Sequence, residues 1–171
     1  MSMDELQQVV SICKLPKFAA KQIADWVYKK KATSIDEMTN ISLANREKLS
    51  EAYEVGRYAP TENQTSKDGT VKYLFKTAEG KLIESVMIPD KERVTLCVSS
   101  QVGCKLNCHF CMTGKQGFLG NLTTTDILNQ MYSIAESYAL TNVVFMGMGE
   151  PLDNYDAVKK ALEIITADYG M

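Results

Sequence analysis

The spacing of apolar positions changes character along this chain, and each change marks a different kind of element. From residue 4 to 58 apolar residues recur at helical intervals. Val9, Val10, Ile12 and Cys13 run up to Leu15-Pro16, where the proline sets a helix boundary. Phe18, Ile23, Trp26 and Val27 are spaced to share one face of the next helix. Thr33, Ser34 and Asp36 offer capping groups before a short segment, and Asn40-Ile41-Ser42 opens a further helix with Leu43 and Leu49 inward. Between 63 and 90 the period falls to two. Val71, Tyr73 and Phe75 alternate with Lys72 and Lys76, between the turn pairs Asp68-Gly69 and Glu79-Gly80. The returning strand, 81–88, places Leu82, Glu84, Val86 and Ile88 on one face, so Glu84 is the single acid in an apolar row. Such a carboxylate either sits at an edge open to water, or reaches a partner or is pushed up in pKa by desolvation.

Residues 93–100 read as another strand, with Val94, Leu96 and Val98 on one side and Thr95, Cys97 and Ser99 on the other. Thr123-Thr124-Thr125-Asp126 opens an amphipathic helix carrying Ile127, Leu128, Met131, Ile134, Ala135 and Tyr138 on one face. The unbroken apolar run 143–146 predicts a parallel strand buried on both faces. A last helix, 155–167, turns Val158, Ala161, Leu162 and Ile165 inward. Strand–helix–strand–helix implies a parallel sheet and an α/β class. The expected organisation is a helical accessory domain over 1–60, a β-hairpin linker over 61–91, and an α/β domain over 92–171.

Composition changes this picture little. The chain has 171 residues, 45% apolar and 23% charged, as a globular protein does. A net charge of −2 gives no global basic field to attract nucleic acid. Locally, Lys14, Lys17, Lys21, Lys29, Lys30 and Lys31 face only Asp25 between 14 and 31, either a solvated helix face or a contact for an RNA backbone. No apolar run reaches membrane-spanning length, and the polar start is no signal peptide, so a cytoplasmic location is expected. In that compartment the five cysteines are thiols or ligands rather than disulfides.

The chemistry concentrates in Cys104-Lys105-Leu106-Asn107-Cys108-His109-Phe110-Cys111. Three thiols on one loop can converge on one centre, and three rather than four leave a coordination position open. The loop follows one predicted strand, and Gly147-Met148-Gly149-Glu150-Pro151 follows the next. Adjacent parallel strands would bring both loops to one rim, where α/β sheets bind ligands. Taken alone, glycines beside a glutamate are weak evidence for a ligand site.

The C-x3-C-x2-C spacing with Phe110 before its last cysteine is the motif of radical S-adenosylmethionine (SAM) enzymes. LCVSSQVGCKLNCHFCMTGKQGF (96–118) followed by VVFMGMGEPLDN (143–154) resembles the RNA adenine methyltransferases of the RlmN/Cfr type, and the likeness runs from about Pro16 to the last residue. The resemblance implies an N-terminal helical domain used with RNA, a β-hairpin, and the first two βα units of a partial (βα)6 barrel. It implies a 4Fe-4S cluster on Cys104, Cys108 and Cys111, with Phe110, Gly149 and Glu150 at the SAM site. Glu84, in E-S-V-x-I-P, matches a proposed general base. Cys97, seven residues ahead of Cys104, matches a thiol that resolves a covalent enzyme–RNA intermediate; from the residues alone it equally suits a buried packing cysteine. Implied partners are 23S rRNA and tRNA, methylated at adenine carbon 2, and an external, flavodoxin-like electron donor. Members of the family are about twice as long as this chain, and their methyl-carrying cysteine lies further along than Cys111. The expectation is therefore the front portion of such an enzyme, inactive alone, with an open sheet edge that favours self-association. Two other readings stand: a free-standing, non-catalytic iron–sulfur or RNA-binding domain, and a zinc site completed by His109.

Overall fold

The computed structural model describes residues 1–171, which divide into two compact units. The first comprises Met1–Arg57 and Leu162–Met171, the second Tyr58–Ala161. No helix is long and apolar enough to cross a membrane.

The first unit is helical. Helix α1 (Met3–Ile12) starts at a capping box, in which the Ser2 amide donates to Glu5 Oε2 at 2.7 Å and the Glu5 amide donates to Ser2 Oγ at 3.3 Å. Its buried residues are Leu6, Val9 and Val10, while Ile12 points to solvent. Helix α2 (Ala19–Ala24) runs into a π-helical turn, Asp25–Lys29. Small residues carry the packing here: Ala19, Ala20 and Ala24 are buried with Ile23 and Tyr28. The expected apolar face was wrong at one end, because Phe18 precedes the helix as its N-cap and is exposed. A 3-10 turn, Ile35–Glu37, and helix α3 (Leu43–Ser50) follow. Leu49 is buried as expected, whereas Leu43, the first helical residue, lies outside.

The second unit is built on a five-stranded sheet. Strands β1 (Glu62–Thr65), β2 (Val71–Lys76), β3 (Leu82–Asp90) and β4 (Arg93–Cys97) form an antiparallel meander. Strands β5 (Gln101–Gly103) and β6 (Phe118–Asn121) make a separate antiparallel ribbon with a bulge at Val102/Gly103. Strand β7 (Asn142–Val144) pairs with β4 in parallel, as the strand–helix–strand pattern predicts. The buried strand expected over 143–146 is a correction: β7 is three residues long and half-exposed, and Met146 is 81% exposed. Its backbone leaves the ladder early because Gly147 and Met148 are drawn onto residues 98–101.

One face of the sheet carries Val71, Tyr73 and Phe75 opposite Met87, Ser85 and Ile83, all buried, with Leu96 beside Met87. Helix α4 (Met112–Lys115) is a single short turn, whereas α5 (Thr124–Tyr132) is the main helix of this unit. The α5 side of the unit is tied to the Tyr73 and Phe75 face: Tyr73 donates to Glu136, Tyr58 donates to Asp126 at 2.7 Å, and the Tyr58 and Phe75 rings meet edge-on. These contacts settle the phase of β3, which the alternation leaves open. The row Leu82, Glu84, Val86 and Ile88 is the wetter face, and Ile83, Ser85 and Met87 face the core. The helix expected to run on through Tyr138 stops at Ser133, and Tyr138 in the following 3-10 turn is exposed. In helix α6 (Tyr155–Ile165) the buried residues are Val158, Ala161 and Ile164; Leu162 is exposed and Ile165 half-buried.

Candidate functional site

The predicted site residues of the second unit fall into two groups, one on the open sheet face and one at the rim. On the face, Val86 lies opposite Cys97, so Glu84, two residues back on β3, shares that face with the cysteine. The Glu84 carboxylate reaches Lys72 Nζ at 3.1 Å, and both side chains are nearly half-exposed. Cys97 is half-buried, and burial raises its thiol pKa while a hydrogen bond from the Met146 backbone works the other way. Ser99 Oγ donates to the Glu84 carbonyl at 2.6 Å and accepts from the Met148 amide at 2.9 Å. Thus a single hydroxyl joins the backbone of β3 to the glycine loop.

At the rim, the chain passes from β4 through Ser99 and Ser100 into β5 and then the cysteine loop. Met148 O accepts the Ser100 and Gln101 amides at 2.8 and 3.1 Å, and Gly147 donates to Val98 O. These bonds hold the 147–150 segment against the root of the cysteine loop, the juxtaposition that parallel pairing of β4 and β7 predicts. Gly149 has φ +94 and lies directly on Gln101. Glu150 caps the turn Pro151–Asn154, its Oε1 accepting the Leu152 amide at 3.0 Å. Both residues thus have a structural use beside the one the resemblance implies.

Cys104, Cys108 and Cys111 are free thiols on one loop, Cys108 exposed and the other two half-buried. Cys111 is the N-cap of α4, and the Gly114 and Thr113 amides hold its thiol below the usual range. No set of three or more His, Cys, Asp or Glu side chains converges as it stands to hold a metal ion. The donor chemistry nonetheless fits an iron–sulfur group: three thiols, one with its thiolate favoured, on a loop whose tip is accessible. Phe110 at that tip is 90% exposed.

A polar network around Gln101 was missed by reading the sequence. Gln101 is fully buried; its Nε2 donates to Asn121 Oδ1 and to Asp153 Oδ2, both at 2.8 Å, and its Oε1 accepts the Glu150 amide at 3.0 Å. Lys105 Nζ lies 3.0 Å from the same Asp153 oxygen, and these two donors hold the Asp153 carboxyl below its ordinary pKa. Asn154 Nδ2 donates to the carbonyls of Ser100 and Leu122, and Gln130 pairs with the Ser99 backbone through both ends of its amide. Buried glutamines leave no periodic signature, so only the polar run Ser99-Ser100-Gln101 inside an apolar stretch hinted at them.

Residues 1–55 match the family model "Ribosomal RNA large subunit methyltransferase N-terminal domain", and residues 98–170 match "Radical SAM superfamily". A protein of Phocaeicola vulgatus, named a probable dual-specificity RNA methyltransferase RlmN, is 63% identical over 99% of this chain and 48% of its own length. The dual-specificity RNA methyltransferase RlmN of Campylobacter fetus is 47% identical over the whole chain and 52% of its own length. Along its length the chain is similar to the RlmN-type radical SAM proteins. It spans about half the length of the curated relatives it matches. A crystal structure of a radical SAM methyltransferase from Sphaerobacter thermophilus superposes on the whole chain with TM-score 0.92 at 35% identity, over 52% of that structure's chain. The RlmN relationship supports the α/β class with leading helices that the sequence predicts.

Proposed function

We propose that this chain supplies the cluster-holding and part of the RNA-contacting portion of an RNA adenine methyltransferase acting on 23S rRNA and tRNA at adenine carbon 2. The observation that carries the reading is the placement of three free thiols on a loop whose root is bonded to the 147–150 segment, at the ends of parallel strands. Cys104, Cys108 and Cys111 would hold a 4Fe-4S cluster, and Phe110, Gly149 and Glu150 would lie at the SAM site. The cluster with SAM supplies the radical chemistry that an electron-poor ring carbon requires. Glu84 acts as the proton acceptor and Cys97 as the thiol that releases the covalent RNA adduct; both project from one sheet face, which supports pairing them. The raised thiol pKa of Cys97 keeps it protonated until a base or an adduct demands otherwise.

The organisation proposed for this function is an RNA-contacting helical domain over 1–60, a hairpin segment over 61–91, and the SAM-binding α/β domain over 92–171. Among the lysines between 14 and 31, Lys30 already pairs with Asp25 at 3.4 Å, and burial together with Arg57 lowers Lys31 to about 8. Lys14, Lys17, Lys21 and Lys29 are therefore the better phosphate contacts. A flavodoxin-like donor supplies electrons, the location is cytoplasmic, and the free edge of β7 favours self-association. Within these 171 residues no cysteine follows Cys111, so methyl transfer by this polypeptide alone is not expected.

The test is anaerobic reconstitution with iron and sulfide, followed by EPR with and without SAM. The proposal expects one cluster per chain, a spectrum altered by SAM, and loss of iron in Cys104→Ala, Cys108→Ala and Cys111→Ala. Variants that hold iron as well as the parent would sink it, and stoichiometric zinc in the purified protein would favour a zinc site instead.

A further inference from the structure

We propose that Lys105, Asp153 and Gln101 form a charge-balanced tie that fixes the cysteine loop against the 147–153 segment and sets the electrostatic field at the group held by the three thiols. The inference rests on the reading that Cys104, Cys108 and Cys111 bind an iron–sulfur cluster. Lys105 directly follows Cys104 and is the sole lysine or arginine between Cys104 and Cys111. Its ammonium is held from two sides, 3.0 Å from Asp153 Oδ2 and 4.4 Å from the centroid of the Phe118 ring. Asp153 is in turn fixed from the interior, because the same oxygen accepts from the fully buried Gln101. The Gln101 amide is itself immobilised by Asn121 and by the Glu150 backbone.

An exposed ion pair contributes little to stability, and with side chains 52% and 38% exposed this one is no exception. Its position is what matters. One cation stands next to the first cysteine, and one anion stands on the loop bonded to that cysteine's root. Cluster potentials respond to nearby charge, since a fixed cation favours the more negative, reduced form and an anion disfavours it. With both charges present their fields largely cancel. Removing either partner leaves the other uncompensated, on the cysteine loop or on the segment bonded to its root.

Two variants therefore move in opposite directions. In the reconstituted chain, EPR-monitored redox titration should give Lys105→Met a lower midpoint potential than the parent and Asp153→Asn a higher one, with the double variant near the parent. In the chain without iron, hydrogen exchange should show both single variants losing protection across 104–117 while β2 and β3 are unchanged. A merely structural role would shift both potentials in one direction, and that result, or no shift, overturns the electrostatic assignment. Unchanged exchange across the loop overturns the tie. Where a single variant fails to load iron, Lys105→Arg should restore loading and the parent potential, and its failure also overturns the proposal. If the parent itself takes up no cluster, the functional reading fails, and the tie is decided by hydrogen exchange alone.

Discussion

Gly149 lies so close to Gln101 that a Cβ on the glycine would stand 2.4 Å from the Gln101 Cβ and 2.8 Å from its backbone nitrogen. With φ at +94, the glycine is required by both conformation and contact. Gly149→Ala should therefore destabilise the second unit by about 1–3 kcal/mol. Gly117, also at positive φ but with nothing within 4 Å of its added Cβ, should lose only about 1 kcal/mol on the same change. Urea denaturation followed by circular dichroism separates the two, and equal losses would show that contact with Gln101 does not fix the glycine loop.

The phase of β3 is open to a direct comparison. Ile83 is completely buried and should lose about 2–5 kcal/mol as alanine. Ile88, 42% exposed, should lose about 0.5 kcal/mol. Urea midpoints in the reverse order would refute the register.

Glu84 is a cheap residue to change. Its partner Lys72 is nearly half-exposed, so Glu84→Gln should alter stability by less than about 1 kcal/mol. A double-mutant cycle with Lys72→Met should return a coupling within the same bound. A larger coupling would mean that the carboxylate is chiefly structural, against its proposed role as a proton acceptor.

Cys97 should be slow to alkylate. Burial raises its pKa, so at pH 8 it holds less thiolate than an ordinary cysteine. Iodoacetamide labelling of the iron-free chain, read by mass spectrometry, should modify exposed Cys108 first and Cys97 late, with the Cys97 rate still climbing at higher pH. Equal rates would show that the thiol is not sheltered.

Acid should weaken the first unit through Glu37. Its carboxylate accepts from the Thr33 hydroxyl and amide at 2.7 and 2.9 Å and from the Ser34 amide at 3.0 Å, which lowers its pKa below 4.5. Because the folded value is the lower one, this contribution is complete above the unfolded pKa and is lost as pH falls through the folded value. Glu37→Gln should flatten the fall in melting temperature below pH 4.5, and an unchanged slope would assign acid sensitivity elsewhere.

Much of this arrangement was legible in the sequence, and the failures have physical causes. Parallel pairing of β4 with β7 followed from strand–helix–strand order, and the Thr123 cap of α5 from its Thr-x-x-Asp spacing. The phase of β3 did not, because both of its faces are partly apolar and the buried face includes Ser85, opposite Tyr73. Alternation cannot choose between two such rows. The shortness of β7 was hidden because apolar residues at 145 and 146 continue the pattern while hydrogen bonds to residues 98–101 bend the backbone away. The cysteines could be found by spacing, but the Gln101–Asp153 contact joins residues 52 apart through polar atoms that no periodicity announces.

The bulged ribbon of β5 and β6 has a mechanical consequence. A Cβ on Gly103 would fall 1.7 Å from the Gly117 carbonyl oxygen, and the Cys104 amide donates to that same oxygen at 3.1 Å. The two ends of the cysteine loop are thus clasped, and the chain between them is a hoop rather than a tether. For such a hoop, most of the loop-closure entropy is settled when the ribbon forms. Under the proposed cluster assignment, its thiols would regroup around an incoming inorganic core by motions of the tip, without any strand of the five-stranded sheet having to change its pairing.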